Sequence, residues 1–280
     1  MNIRRRTLPN TDLEPRSENP LAVAVAANDR ETLSIVRHAV DRQEVVLAFQ
    51  PVIQARQPDR PAFYEGLIRI YDDRGRVIPA GDFIDAVEAT ETGRIIDCLS
   101  LDMGLMCLAE SPSLRLSINM SARSIGYPRW TNVLKRGLAV DPTIAERLIL
   151  EITEASAMLM PDLVTVFMRD LQRQGVAFAL DDFGAGHTSF RYLRQFYFDI
   201  IKIDGQFIRG VAVNPDNQVL TAALVSIARH FDMFTVAESV ETGADAEYLQ
   251  ALGIDCLQGY FFGAPTIMPP WKTPAAQRRA

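Results

Sequence analysis

Short apolar runs recur along the chain, and nearly every run ends in a polar or charged residue. The run 176–180 ends in Asp181 and Asp182 before a Gly-rich turn, and the run 148–150 ends in Glu151. Short apolar runs that are closed by turn residues are typical of buried strands. The pattern predicts eight strands, at residues 45–50, 64–70, 115–119, 148–152, 176–181, 200–204, 235–238 and 255–258.

Segments with helical periodicity alternate with these strands, at residues 81–110, 158–174, 217–231 and 243–252. Such alternation predicts a parallel sheet with crossover helices. The first two strands differ, because the connection 55–61 holds two prolines and is too short for a helical crossover. The sequence therefore predicts an α/β fold, a TIM-like (β/α)8 barrel with the first strand antiparallel to the rest.

An open, doubly wound sheet is the alternative architecture, and its site would lie at a topological switch point. Polar residues at nearly every strand end favour the ring, because a barrel collects the carboxyl ends of its strands at one mouth. We assign the barrel to residues 28–268. A leader, 1–27, is expected to be disordered, and a tail, 269–280, is expected to be frayed.

Composition agrees with one enzyme-sized domain of 280 residues, 48% of them hydrophobic. The net charge of -6 and the pI of about 5.2 argue against a nucleic-acid polymer as partner, but not against a phosphorylated ligand. No apolar stretch reaches membrane-spanning length, so we expect no membrane contact within this chain. The three cysteines lack CxxC spacing, which indicates buried thiols and a cytoplasmic protein.

The neighbouring carboxylates Asp181 and Asp182 repel each other, and burial at a strand end would increase that repulsion. A bound divalent cation relieves it, while a solvated turn is an equally weighted alternative for the pair alone. Oxygen-bearing residues at the other strand ends favour the cation. The candidate ligands are Glu65, Asn119, Glu151, Asp181, Asp182 and Glu238.

Oxygen ligands suit magnesium, manganese or calcium, and no histidine stands at a strand end to favour zinc. A set of this size suits two ions that share a bridging carboxylate, the usual centre for phosphodiester hydrolysis. Lys202 lies in mid-strand, and we expect it to point into the barrel and orient the attacking water or the phosphoryl oxygens. The alternative is an edge-strand lysine that faces solvent.

Several motifs, in order along the chain, together carry a family resemblance. They are FQP at 49–51, EGLIR at 65–69, SINMSAR at 117–123, LEITE at 150–154, LDDFGAG at 180–186, IKID at 201–204, VAESVET at 236–242 and QGYFFG at 258–263. The chain resembles the EAL-type cyclic di-GMP phosphodiesterase domain over nearly its whole length, from about Leu33 to Pro265. A single Glu-x-Leu would be uninformative, whereas this ordered series is specific.

The resemblance implies a role for each matching residue. By the resemblance, one metal ion would be bound by Glu65, Asn119, Glu151 and Asp181. A second ion would be bound by Asp181, Asp182 and Glu238, so that Asp181 bridges the two. The implied catalytic set is Lys202, Glu65, Asp181, Asp182, Glu238 and Glu154. Lys202 would position or activate the attacking water, and Glu154 would hold the loop after Asp182. The implied substrate contacts are Arg69 and Gln258 and, more weakly, Gln50 and Asp204.

The implied activity is hydrolysis of cyclic di-GMP to the linear dinucleotide pGpG with two Mg2+ or Mn2+ ions, and calcium is expected to inhibit. The alternative is a degenerate domain that acts as a cyclic di-GMP receptor or a protein-interaction module. Every expected ligand is present, which favours the enzyme. The resemblance also implies a homodimer through residues 182–196 and leaves room for a sensor or cyclase domain in a longer native protein.

The chain departs from the family pattern at Gly66, Ala185, His187 and Ser239, none of which is an expected metal ligand. Gly66 replaces the alanine of the signature, and its flexibility is expected to loosen Glu65. On this interpretation Gly66→Ala would raise activity or tighten metal binding. The alternative is that substrate or backbone packs too closely at Gly66 for a methyl group, and Gly66→Ala would then lower activity.

Overall fold

The strands of the computed structural model close into a ring. The structure describes residues 20–185 and 193–272. Within them the strands are β1 (Val45–Gln54), β2 (Gln57–Tyr71), β3 (Val77–Pro79), β4 (Leu116–Asn119), β5 (Leu148–Thr153), β6 (Ala177–Phe183), β7 (Ile200–Ile203), β8 (Phe234–Ala237) and β9 (Cys256–Leu257).

Around the ring the strands follow the order β1, β2, β4, β5, β6, β7, β8 and β9, and β9 returns to β1. Strand β1 is antiparallel to both of its neighbours, while the strands from β2 to β9 pair in parallel around the ring. This arrangement confirms the predicted TIM-like barrel with a reversed first strand, and it excludes the open doubly wound sheet.

The β1–β2 hairpin is longer than the sequence pattern predicted. Only Ala55 and Arg56 separate the two strands, so most of the connection 55–61 is strand. The register shifts next to Pro61, which has no backbone N–H to donate to the ladder. Strand β3 was not predicted. It pairs with β2 outside the ring, after a turn in which Gly75 adopts a φ of 74°.

Helices cover the outside of the ring. The described α-helices are α1 (Pro20–Asp41), α2 (Ile84–Val87), α3 (Glu91–Glu110), α4 (Pro128–Leu138), α5 (Glu154–Ala157), α6 (Pro161–Gln172), α7 (Gly205–Ile208), α8 (Pro215–His230) and α9 (Gly243–Leu252). Helical turns of the 3-10 type lie at Ala80–Asp82, Ala122–Ser124 and Pro142–Arg147. No described helix is both long and apolar enough to cross a membrane.

Some helix bounds differ from the predicted ones. The predicted helix 81–110 is divided, because Thr90 has an extended backbone between α2 and α3. Helix α1 begins at Pro20, inside the segment assigned to the leader, and α4 was not predicted. Proline opens α1, α4, α6 and α8, as expected for a residue whose missing N–H has no partner in the first helical turn.

Among the described residues, three apolar clusters hold the barrel together, and one of them, which includes Ile203, Val225 and Leu249, packs β7–β9 against α8 and α9. Outward-facing strand residues such as Ile118, Leu150 and Leu180 pack in the main core between strands and helices. A smaller cluster fills the inside of the ring. We call it the apolar layer, and it consists of Val52, Phe63, Ile149, Ala179, Ile200 and Val236.

Candidate active site

Charged side chains lie directly above the apolar layer, at the carboxyl ends of the parallel strands. Each stands two residues beyond an apolar-layer residue of the same strand, so strand alternation turns it to the same inward face. We call this set the charged layer, and it consists of Glu65, Glu151, Asp181, Lys202 and Glu238.

Lys202 stands at the centre of the charged layer, with only 1% of its surface exposed. Its Nζ lies 3.2 Å from Glu65 Oε2, 2.8 Å from Glu151 Oε2, 3.0 Å from Asp181 Oδ1 and 2.7 Å from Glu238 Oε1. Burial lowers the pKa of Lys202, but the four carboxylates outweigh burial and hold the pKa well above its ordinary value. Lys202 is therefore a buried cation inside the barrel and does not face solvent.

Glu65 is held by amide side chains from neighbouring strands. Asn119 Nδ2 donates to Glu65 Oε1 over 2.8 Å, and Gln258 Nε2 donates to Glu65 Oε2 over 2.6 Å. Gln258 Nε2 also lies 3.1 Å from Gln50 Oε1, and Gln50 Nε2 donates to the Gly263 carbonyl. Burial raises the pKa of Glu65, but Lys202 and these amides outweigh it and bring the pKa below its ordinary value.

Asp181 and Asp182 share one side of the strand because β6 is irregular there. The β6–β7 register shifts between Leu180 and Phe183, and Asp182 has a left-handed backbone with a φ of 56°. Consecutive strand residues normally point to opposite faces, and a bulge of this kind re-aims one of them. Oxygen atoms of Asp181, Asp182 and Glu238 consequently lie within 4.8 Å of one another.

Divalent cations fit this donor set. Burial, then the neighbouring Glu65 carboxylate, raises the pKa of Glu151 to about 8. Burial, then Asp181, raises the pKa of Asp182 to about 6, and burial holds the pKa of Glu238 well above its ordinary value. The buried Glu151 Oε1 accepts no hydrogen bond from the described residues. Crowded oxygens of this kind are stabilised by a hard cation.

Two further residues lie close to the centre in different ways. Glu154 Oε2 accepts a hydrogen bond from the Gly184 N–H at 3.3 Å, so it contacts the loop after Asp182. Asp204 caps helix α7, because its Oδ1 accepts from the Gln206 N–H at 2.7 Å. His187 and the middle of the expected dimer segment 182–196, residues 186–192, lie outside the described residues.

An open cleft of about 360 Å³ lies over the charged layer, and Arg69 and Gln258 line it. A second cleft of about 570 Å³ adjoins it and shares Glu65, Leu67, Asp181 and Asp182. The charged layer therefore lies at the junction of two lobes. The sequence did not indicate three residues of the first lobe, Arg209, Glu241 and Tyr260, because they stand on loops and helix ends outside the strand pattern.

Gly66 is closely packed in the structure. A Cβ at Gly66 would lie 2.7 Å from Cδ1 of Ile118, and a Cβ at Gly104 of α3 would lie 2.7 Å from the same atom. Ile118 therefore occupies the space that both glycines leave. This contact between β2, β4 and α3 favours the close-packing interpretation of Gly66, with a side chain as the neighbour.

Comparison with known families identifies the chain. The EAL domain model matches residues 34–265. The chain belongs to the EAL domain family. This EAL domain is 31% identical over 248 residues to the bifunctional diguanylate cyclase/cyclic di-GMP phosphodiesterase MucR of Pseudomonas aeruginosa, an alignment that covers 85% of this chain and 36% of MucR.

Other relatives and solved structures resemble the EAL domain as well. It is 30% identical to the cyclic di-GMP phosphodiesterase PdeB of Shewanella oneidensis, over 82% of this chain and 27% of PdeB. A structure described as the PaMucR phosphodiesterase in complex with c-di-GMP superposes with a TM-score of 0.77 at 30% identity, and covers 89% of this chain and 99% of that one. The FimX EAL domain of Pseudomonas aeruginosa, bound to c-di-GMP, shares the fold with a TM-score of 0.75 at 24% identity, over 85% and 97% of the two chains.

The EAL domain spans about a third of the length of the curated relatives that it matches, between 27% and 36% for the first three. Their names therefore describe whole proteins that are much longer than this chain.

Proposed function

We propose that this EAL domain is a metal-dependent phosphodiesterase that hydrolyses cyclic di-GMP to linear pGpG. The observation that carries the proposal is the charged layer, in which four carboxylates surround the buried Lys202. The family membership and the names of relatives such as PdeB and MucR supply the substrate.

The residues around Lys202 divide into two ligand groups. One ion would be held by Glu65, Asn119, Glu151 and Asp181, and the other by Asp181, Asp182 and Glu238. When bound, two such ions lower the pKa of a water molecule and neutralise charge on the transferring phosphoryl group. The ions would also take over much of the carboxylate charge that Lys202 alone balances in the present structure.

Lys202 and Arg69 act on the substrate itself in this proposal. The Lys202 ammonium donates a hydrogen bond to the attacking water and orients it, while Arg69 binds an oxygen of the scissile phosphate. A bond forms between the water oxygen and phosphorus, and the bond from phosphorus to the ribose 3′-oxygen breaks. The water gives up one proton as its oxygen bonds to phosphorus, and the 3′-oxygen takes up one proton as it leaves, so the released linear dinucleotide carries a 5′-phosphate and a 3′-hydroxyl.

Supporting roles fall to residues that contact the centre. Gln258 and Asn119 hold Glu65 in place through their amides, and Gln50 in turn accepts a hydrogen bond from Gln258. Glu154 holds the loop after Asp182 through the Gly184 N–H. Asp204 shapes the start of α7 at the edge of the site.

The decisive experiment is product analysis by chromatography after incubation of the purified protein with cyclic di-GMP. Magnesium and manganese should each give pGpG. Calcium should inhibit, because its longer and more variable coordination relaxes the geometry that the smaller ions require. A protein that binds cyclic di-GMP tightly yet forms no product with either ion would be a receptor, and the proposed activity would be wrong.

We also propose a homodimer that uses residues 182–196, next to the ligand Asp182. Sedimentation should then give twice the chain mass of 31.2 kDa. A monomer at assay concentration would contradict this assembly without affecting the proposed chemistry.

A further inference from the structure

Ser239 has an unusual backbone directly after the charged-layer residue Glu238. Its φ of 55° lies in the left-handed region, where side chains other than glycine are uncommon. A strained backbone of this kind persists only where surrounding contacts hold it in place, and such positions cluster at functional sites. The contacts of the Ser239 side chain therefore indicate what the strain achieves.

The Ser239 side chain lies between two residues of the segment that follows β7. Ser239 Oγ accepts a hydrogen bond from Arg209 Nη2 at 3.0 Å. Gly205 gives the serine room, because a Cβ there would lie 2.7 Å from Ser239 Cβ and would also contact Ser239 Oγ. Arg209 Nε in turn lies 3.5 Å from Glu241 Oε1. The loop after β8 thus holds the Arg209 guanidinium from two sides.

Arg209 lines the cleft over the charged layer, and its side chain is 58% exposed. A guanidinium has five N–H donors; one of them binds Ser239 Oγ, and Glu241 lies at ion-pair distance from Nε. The remaining donors can reach a ligand in the cleft. The Arg209 guanidinium is already oriented by Ser239 and Glu241. Binding a ligand would therefore cost less side-chain conformational entropy.

Apart from the two proposed metal ions, the cleft offers few cations for an anionic ligand. Its basic side chains are Lys202, Arg69 and Arg209, and Lys202 is engaged by four carboxylates. Strand β2, which carries Arg69, lies opposite β7 in the ring, because three strands separate them on either side. Arg209 follows β7, so Arg69 and Arg209 stand at opposite sides of the barrel mouth.

Cyclic di-GMP carries two phosphodiesters, each with one negative charge, and only one of them is hydrolysed to form the linear product. We propose that Arg209 binds the phosphodiester that is not cleaved, and that Ser239 is the positioning residue that orients Arg209 for this contact. The inference rests on the proposed function for its substrate. It adds a second anion site across the mouth from Arg69.

The test compares two substrates with manganese present. Cyclic di-GMP has two phosphodiesters, whereas bis(p-nitrophenyl) phosphate has only one. Arg209→Ala should raise KM for cyclic di-GMP about tenfold and change kcat less than about twofold, because a charge-assisted hydrogen bond to the phosphate is lost. The relative loss of kcat/KM should be at least about fivefold greater for cyclic di-GMP than for the one-phosphodiester substrate.

Matched variants sharpen the result. Arg169→Ala removes an arginine with the same 58% exposure from α6, outside the cleft, and should leave both substrates unaffected. Ser239→Gly keeps a backbone that tolerates positive φ but removes the hydroxyl, and should raise KM for cyclic di-GMP about twofold to fourfold. Circular dichroism melting shows whether each variant is folded.

Two outcomes would overturn the proposal. An unchanged KM in folded Arg209→Ala would show that the guanidinium does not bind substrate. An equal loss of kcat with both substrates would show that it only braces the loop of Glu238. If the wild-type protein binds cyclic di-GMP without hydrolysis, the proposed function fails, and the same tenfold difference is then sought in Kd by isothermal titration.

Discussion

Two layers of side chains inside the barrel come from the same strands and are separated by one alternation of the strand. In the apolar layer, Phe63, Ile149 and Val236 are buried against one another. In the charged layer, Glu65, Glu151 and Glu238 continue the same strands and lie around Lys202. Burial thus stabilises one layer and destabilises the other. Apolar burial stabilises the fold, whereas charge burial costs stability that only pairing or a cation offsets.

The apolar layer thus supplies stability and the charged layer supplies function, although the two layers are adjacent. Burial, and after it the neighbouring carboxylates, raises the pKa of Glu151 and Glu238, and these groups are retained beside a single lysine. Natural sites accept such a cost where the chemistry needs it. Substitutions in the charged layer should therefore change activity and metal binding, and those in the apolar layer should change stability.

The largest effect is expected for Lys202→Ala. Loss of the ammonium should reduce turnover of cyclic di-GMP by about 10²–10³-fold, the range for removal of one preorganised donor. Without metal, the variant should also lose about 3–5 kcal/mol of unfolding free energy, because two buried and two partly buried carboxyl groups lose their cationic partner. Chemical denaturation with and without manganese, together with steady-state rates, measures both changes.

Lys135→Ala on α4 is the matched control, since this lysine is exposed and lies outside both clefts. It should change neither quantity. Full turnover in Lys202→Ala would contradict the role given to the charged layer.

A pair on strand β5 separates the layers most cleanly. Ile149→Ala should lower the unfolding free energy by about 2–5 kcal/mol, since it removes buried atoms from the apolar layer. Glu151→Gln, two residues along, should weaken manganese binding and leave the metal-free protein nearly as stable or more stable, because it removes one repelling carboxylate. Urea denaturation and manganese titration of both variants check this, and the reverse ranking would refute the division of roles.

The same glutamate gives a pH dependence. Glu151 has an ordinary pKa of 4.5 and a folded pKa of about 8, so the unfolded chain releases this proton first as the pH rises. In the metal-free protein, protonated Glu151 should therefore contribute its full stabilisation below about pH 4.5. This stabilisation should be lost as the pH rises to about 8. Glu151→Gln should flatten the dependence in denaturation curves measured with a chelator. A slope that is the same in both proteins would contradict the assignment.

A smaller effect is expected for Gly66→Ala, which lies beside the charged layer on the outward face of β2. The new methyl group meets Ile118 Cδ1 at 2.7 Å, so we expect a loss of about 1–3 kcal/mol of stability. Adding Ile118→Val removes that carbon and should recover most of the loss. Ile118→Val should restore the stability of Gly104→Ala poorly. A Cβ at Gly104 would also lie 2.8 Å from Cγ1 of Ile118, and valine keeps that carbon. Thermal melting of these four variants and of Ile118→Val alone measures the coupling, and purely additive effects would argue against it.

Periodicity made the barrel and its charged layer predictable. Each ring strand combines an apolar run with a polar end, so the inward positions of Glu151, Asp181 and Lys202 follow from alternation once the closed ring is assumed. The reversed first strand followed from a short connection with prolines. The division of the helix 81–110 did not follow, because Thr90 breaks it through backbone conformation without a glycine or a proline.

The finer site geometry depends on contacts that no periodic pattern encodes. The bulge that turns Asp181 and Asp182 to one side requires a positive φ at an aspartate, which tertiary contacts impose. The contact of Arg209 with Ser239 joins loops after two different strands. The only feature of the sequence that pointed to this contact was Ser239, because the family pattern has glycine at that position.

Manganese binding tests the central claim, that the charged layer is a two-ion centre, most directly. Crystals of the protein soaked with manganese should show two anomalous peaks about 3.5–4 Å apart beside Asp181. Both peaks should persist in Lys202→Ala, since lysine is not a ligand, and both should weaken in Asp181→Asn. Absence of manganese from the wild-type centre, or unchanged occupancy in Asp181→Asn, would contradict the account.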